Sequence, residues 1–113
     1  METLQFLVMV DSDQDDRALM SMILSRFPDA VGRKENSCDL RGNWIEIWAN
    51  EDADPGLMTG ADGYLYYPWR VEATPLEDGV GEEQQIALAR ELVRCFGSTG
   101  APPVVCANFE DRV

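Results

Sequence analysis

The chain has 113 residues, enough to bury a core without disulfides or metals. Its 21 acidic and 9 basic side chains give a formal net charge of −12, which opposes nucleic-acid backbones and anionic membranes and favours basic partners or cations. Histidine is absent, which excludes Ser-His-Asp and Cys-His catalysis and removes the commonest metal ligand.

Residues 3–10, TLQFLVMV, are a largely apolar run that reads as a central strand. The segment around it lacks a positive n-region and a small-residue cleavage site. No stretch of the chain approaches the roughly 20 apolar residues of a membrane span. A cytoplasmic location is the expectation. DSDQDD then supplies helix N-cap candidates and negative charge for a first turn. Asp11, Asp13 and Asp15 also fit the opening of a calcium loop, but Asp16 stands where that loop needs Gly and Met22 where it needs Glu. The helix start is therefore the preferred reading. Ala18, Leu19, Met22, Ile23 and Phe27 form the apolar stripe of a helix over 14–27, stopped by Pro28.

Residues 29–43 carry Gly32, Asn36, Ser37 and Gly42, and Arg33, Lys34 and Arg41 make them the most basic part of the chain. A plain loop is expected here. The alternative is an added strand over 34–40 that turns at Arg41-Gly42-Asn43. Cys38 falls in this polar stretch and is placed at the surface.

Trp44 to Ala49 is a strand by its β-branched and aromatic content. Ile45, Ile47 and Ala49 point one way, and Trp44, Glu46 and Trp48 the other. The isoleucine side is assigned to the core; the reverse, with the tryptophans inside, stays open. The loop from 50 to 63 sets Leu57 and Met58 among Glu51, Asp52, Asp54 and Asp62, an apolar centre with a charged rim. Residues 64–73 read as the next strand. Leu65, Tyr67, Trp69 and Val71 share one side and Tyr64, Tyr66, Arg70 and Glu72 the other, with Pro68 marking a bulge or an unpaired position.

A second helix spans 82–96 on the stripe Ile86, Ala89, Val93 and Phe96, widened by Leu88 and Leu92. Gly97, Gly100 and Pro102-Pro103 end it, and 104–107 form the last strand. Cys95 and Cys106 read as buried free thiols, since no pair of the three cysteines has CxxC spacing.

The order strand, helix, strand, strand, helix, strand predicts a single α+β domain over 1–113. The pattern is the ferredoxin-like βαββαβ one, with a four-stranded antiparallel sheet in the order 4-1-3-2 and two helices on one face. That topology brings Asp11, Asp13, Asp15 and Asp16 to the same pole as the loop 50–63. It also leaves one sheet face uncovered. Trp44, Trp48, Tyr64 and Tyr66 would form an apolar patch there, beside Arg70. The predicted partner-binding residues are Trp44, Trp48, Tyr64, Tyr66, Arg70, Asp52, Asp54, Leu57 and Met58. No catalytic residue, metal ligand or cofactor is assigned.

Asp62-Gly63-Tyr64-Leu65-Tyr66-Tyr67, followed by Cys106-Ala107-Asn108-Phe109-Glu110-Asp111, resembles small uncharacterised bacterial proteins. In size, acidity and lack of catalytic groups the chain is similar to immunity proteins of bacterial toxin systems. That resemblance implies a non-enzymatic module that occludes a basic partner protein. Two other readings stand beside it. One is a homodimer packed through the open sheet faces, of the α+β-barrel kind that binds small ligands or acts as an enzyme. The other is a weak divalent-cation binder at the acidic pole.

Overall fold

The computed structural model describes residues 4–97 and 100–113. β1 (Phe6–Val10) leads into α1 (Asp16–Arg26), whose start is fixed by Asp15: its Oδ1 accepts from the Ala18 N–H at 2.8 Å. α1 ends at Phe27 before Pro28. β2 (Val31–Lys34), β3 (Ser37–Leu40) and β4 (Asn43–Ala49) follow as antiparallel neighbours. β5 (Trp69–Pro75), α2 (Glu82–Cys95) and β6 (Val104–Cys106) complete the regular elements. α2 starts at Gly81, whose N–H donates to Gln84 Oε1 at 3.0 Å.

The sheet overturns the four-stranded ferredoxin-like expectation. Among the described residues it has six strands in the order β2-β3-β4-β5-β1-β6, every neighbouring pair antiparallel. The stretch expected to be a loop makes β2 and β3. The physical reason lies in the turn: Arg41 and Gly42 both take positive φ, 52° and 79°, and Leu40 pairs with Asn43 across them. A two-residue turn with two positive φ values matches the twist of the flanking strands and closes a hairpin. Arg41 is anchored as well, its guanidinium 5.1 Å from the centre of the Phe27 ring and its Nε 3.2 Å from Asp29. Cys38, placed at the surface from sequence, is fully buried, because β3 turns it toward the helices opposite Ile45.

Register decides which face is which. Ile45, Ala73 and Phe6 form one cross-strand row, and Ile47, Val71, Val8 and Val105 another. All are buried beneath α1 and α2, against Leu19, Ile23, Ile86, Ala89 and Leu92. The isoleucine side of β4 therefore faces the core. Asn43 lies in the same layer, completely buried. Its Nδ2 donates to Gln85 Oε1 at 2.9 Å, and Gln85 Nε2 donates to Asn43 Oδ1 at 2.8 Å and to the Leu4 carbonyl at 3.0 Å.

β2 is an edge strand with all four residues exposed, and its pairing with β3 shifts between Gly32 and Lys34, which leaves a bulge at Arg33. At the other edge, Pro102-Pro103 precede β6.

Gly42→Ala is expected to destabilise the fold by roughly 1–3 kcal/mol, measured by chemical denaturation. The new Cβ would sit 2.7 Å from Val80 Cγ2 at a φ of +79°. Gly79→Ala, where nothing lies within 4 Å, is the control and should change little.

Candidate functional site

Val10, Trp69 and Ala49 occupy one cross-strand row. The chain leaving β1 and the connection leaving β4 therefore emerge at the same end of the sheet. The β2–β3 turn joins them there, since the Ile47 N–H donates to the Asn36 carbonyl at 2.9 Å. Carboxylates from three connections thus share one pole: Asp13 and Asp15, Glu35, and Glu51, Asp52, Asp54 and Asp62, all exposed. Arg17 pairs with Glu35, but both side chains are more than half exposed, so the pair offsets little.

Several of these acids also work inside the fold. Asp15 caps α1. Asp11 Oδ2 accepts from the Ala101 N–H at 2.9 Å, tying the end of β1 to the chain before β6. Asp54 Oδ1 accepts from the Gly56 N–H at 2.9 Å, capping the 3-10 helix Pro55–Leu57. Among the described residues no three carboxylate, thiol or imidazole side chains gather closely enough to hold a metal ion.

The connection between β4 and β5 is built rather than loose. Asn50 Nδ2 donates to the carbonyls of Leu65 at 2.9 Å and Tyr67 at 2.7 Å. The Asn50 N–H donates to the Pro68 carbonyl, also at 2.9 Å. The Asp54 N–H reaches the Tyr66 carbonyl at 3.1 Å, which draws the 3-10 helices Pro55–Leu57 and Gly63–Tyr66 together. Gly63 is where they touch: a Cβ there would lie 1.8 Å from the Met58 carbonyl oxygen.

This arrangement corrects the strand expected over 64–73. β5 begins only at Trp69. Tyr64 and Tyr66 belong to the 3-10 helix and not to the sheet face. The reason is Asn50, which takes up the Leu65 and Tyr67 carbonyls that a ladder would need, and Pro68, which has no N–H to give one. Tyr67 is buried and donates its hydroxyl to the Pro102 carbonyl at 3.1 Å. Burial pushes the Tyr67 hydroxyl pKa up, and the charge of Asp11 adds to the effect.

The face opposite the helices is accordingly only half open. The helix Gly63–Tyr66 packs against β1, and Met9, whose register puts it on that face, is only 5% exposed. Tyr64 comes within the field of Cys106, which raises its hydroxyl pKa first; burial, Asp62 and Glu110 raise it further. What stays uncovered is the part over β4 and β5. Trp44, Glu46 and Trp48 lie there opposite Thr74, Glu72 and Arg70. Trp48 is 42% exposed and Trp44 half-buried.

Seven of the nine predicted binding residues fall into two groups, and Tyr64 and Met58 belong to neither. Trp44, Trp48 and Arg70 share the open face. Asp52, Asp54, Leu57 and Tyr66 line a cleft of about 340 Å³ at the acidic pole together with Leu65, which a strand period places on the same side as Val71. Met58 is half-buried beneath Gly63. A strand period hides Leu65 from the cleft, because Gly63–Tyr66 is a helical turn.

Gly63→Ala should open the connection while leaving the sheet intact. Hydrogen exchange at residues 50–67 is expected to rise well above that of β1 and β5. Burial lifts the Cys38 thiol pKa from 9.0 to about 11, with a smaller push from Asp39. Above pH 9 the unfolded chain loses this proton and the folded chain keeps it. Stability should therefore fall between about pH 9 and 11, and Cys38→Ala should flatten that decline in denaturation curves.

No family model matches this chain, and no curated protein and no solved structure matches it either.

Proposed function

We propose that the chain is a non-enzymatic protein-binding module for a basic partner, acting by occlusion in the way of an immunity or inhibitor protein. The observation that carries this reading is the meeting of three acidic connections at one pole, next to a sheet face where Trp48 is exposed. Acidic connections attract a basic surface over distance and raise the rate of encounter, and an exposed indole supplies area for affinity once contact is made. The cleft between Asp52, Asp54, Leu57, Leu65 and Tyr66 offers the same pairing of charge and apolar surface on a smaller scale.

A homodimer through the open face is less well supported. The helix Gly63–Tyr66 already lies against β1, which reduces the flat area a second copy would need.

The test is association with basic proteins encoded beside this chain's gene, followed by biolayer interferometry between about 50 and about 500 mM salt. The association rate is expected to fall at least roughly tenfold across that range, with a smaller change in dissociation. A rate indifferent to salt, or tight binding to an acidic partner, would overturn the reading.

A further inference from the structure

The uncovered part of the sheet carries an electrostatic fault. Glu46 on β4 stands directly opposite Glu72 on β5, and like charges in that relation destabilise a sheet. Glu72 has a counter-charge: its Oε1 lies 3.4 Å from Arg70 Nε. The contact is electrostatic only, since Arg70 Nε has no hydrogen-bond partner among the described residues. Glu46 has no ion pair among the described residues. It is flanked on its own strand by Trp44 and Trp48, each two residues away on the same face and so about 6.6 Å along the strand.

We propose that Trp44, Glu46 and Trp48 form the seat for an arginine side chain of the basic partner. The inference rests on the binding-module reading and names the group that reading lacks. The argument is one of charge complementarity. A cation arriving at Glu46 neutralises a carboxylate that has no ion pair among the described residues and relieves its opposition to Glu72. Indoles on both sides give the cation a π-face on which to lie. A guanidinium suits this better than an ammonium. It is flat, it stacks on rings, it sheds water more easily, and it grips a carboxylate through two N–H groups. An anionic partner would add a third negative group beside Glu46 and Glu72.

The test follows the indole Nε1–H signals of Trp44 and Trp48 by NMR during titration with acetyl-Gly-Arg-Gly-amide and with its lysine counterpart. The arginine peptide is expected to shift both signals and to bind at least about threefold more tightly than the lysine peptide. Glu46→Gln, isosteric and on the sheet surface, should weaken it about tenfold, whereas Asp78→Asn, which removes an exposed carboxylate outside both the seat and the acidic pole, should leave the indole shifts in place. Shifts confined to residues 11–16 and 50–66, or a Glu46→Gln variant that binds as the parent does, would overturn the arginine seat and leave the basic-partner reading standing. No perturbation by either peptide at low salt would overturn both. Indole shifts that follow protein concentration alone, with a dimer in sedimentation, would assign this face to a second copy and overturn the seat.

Discussion

The arrangement of this molecule depends on one buried pair of amides. Asn43 and Gln85 donate to and accept from each other, and the remaining donors are taken by the carbonyls of Arg41 and Leu4. Four separate segments meet there: the hairpin turn, the start of β4, the first turn of α2 and the chain entering β1. A buried amide left without partners costs more than a satisfied one contributes, so the network permits one alignment and penalises its neighbours. A slip of β4 by one residue would break it and would also exchange the two faces of the strand. The placement of Trp44, Glu46 and Trp48 on the face away from the helices is therefore enforced from the opposite side of the sheet.

The acidic pole shows how a fold carries a charge excess. Asp15 and Asp16 lie at the N-terminus of α1, where the helix dipole favours them. Asp11 and Asp54 accept backbone N–H groups that would otherwise need water. These side chains fix the connections. Asp13, Glu51, Asp52 and Asp62 project from the resulting frame into solvent. One composition thus serves two purposes, and the division between them is set by local hydrogen bonding rather than by position in the sequence.

Much of this was legible from the chain. The alternation in Trp44 to Ala49 and the apolar stripes of the two helices reflect burial against a common layer, and periodicity reports burial directly. The shared pole of 11–16 and 50–62 followed from strand direction alone, and β4 and β5 keep that direction despite the two additional strands. The hairpin was harder to see because Arg41 adopts a positive φ that its residue type disfavours; the stack on Phe27 and the contact with Asp29 hold it there, and both partners are distant in sequence. Tyr64 and Tyr66 misled for a related reason. Their aromatic content fits a strand, but Asn50, well upstream, captures the backbone they would use for pairing. Cys38 looked exposed among polar neighbours because its burial is decided by Ile45 across the ladder.

The two rims of the sheet have a bearing on how the molecule behaves when crowded. β2 presents a kinked outline with Arg33 and Lys34 on it, and β6 is three residues long behind a pair of prolines. Neither rim offers a straight row of free amides to a stray chain, so sideways growth into fibres is discouraged at both ends. Visitors are left the open part of the sheet over β4 and β5, where recognition relies on side chains rather than on a borrowed backbone.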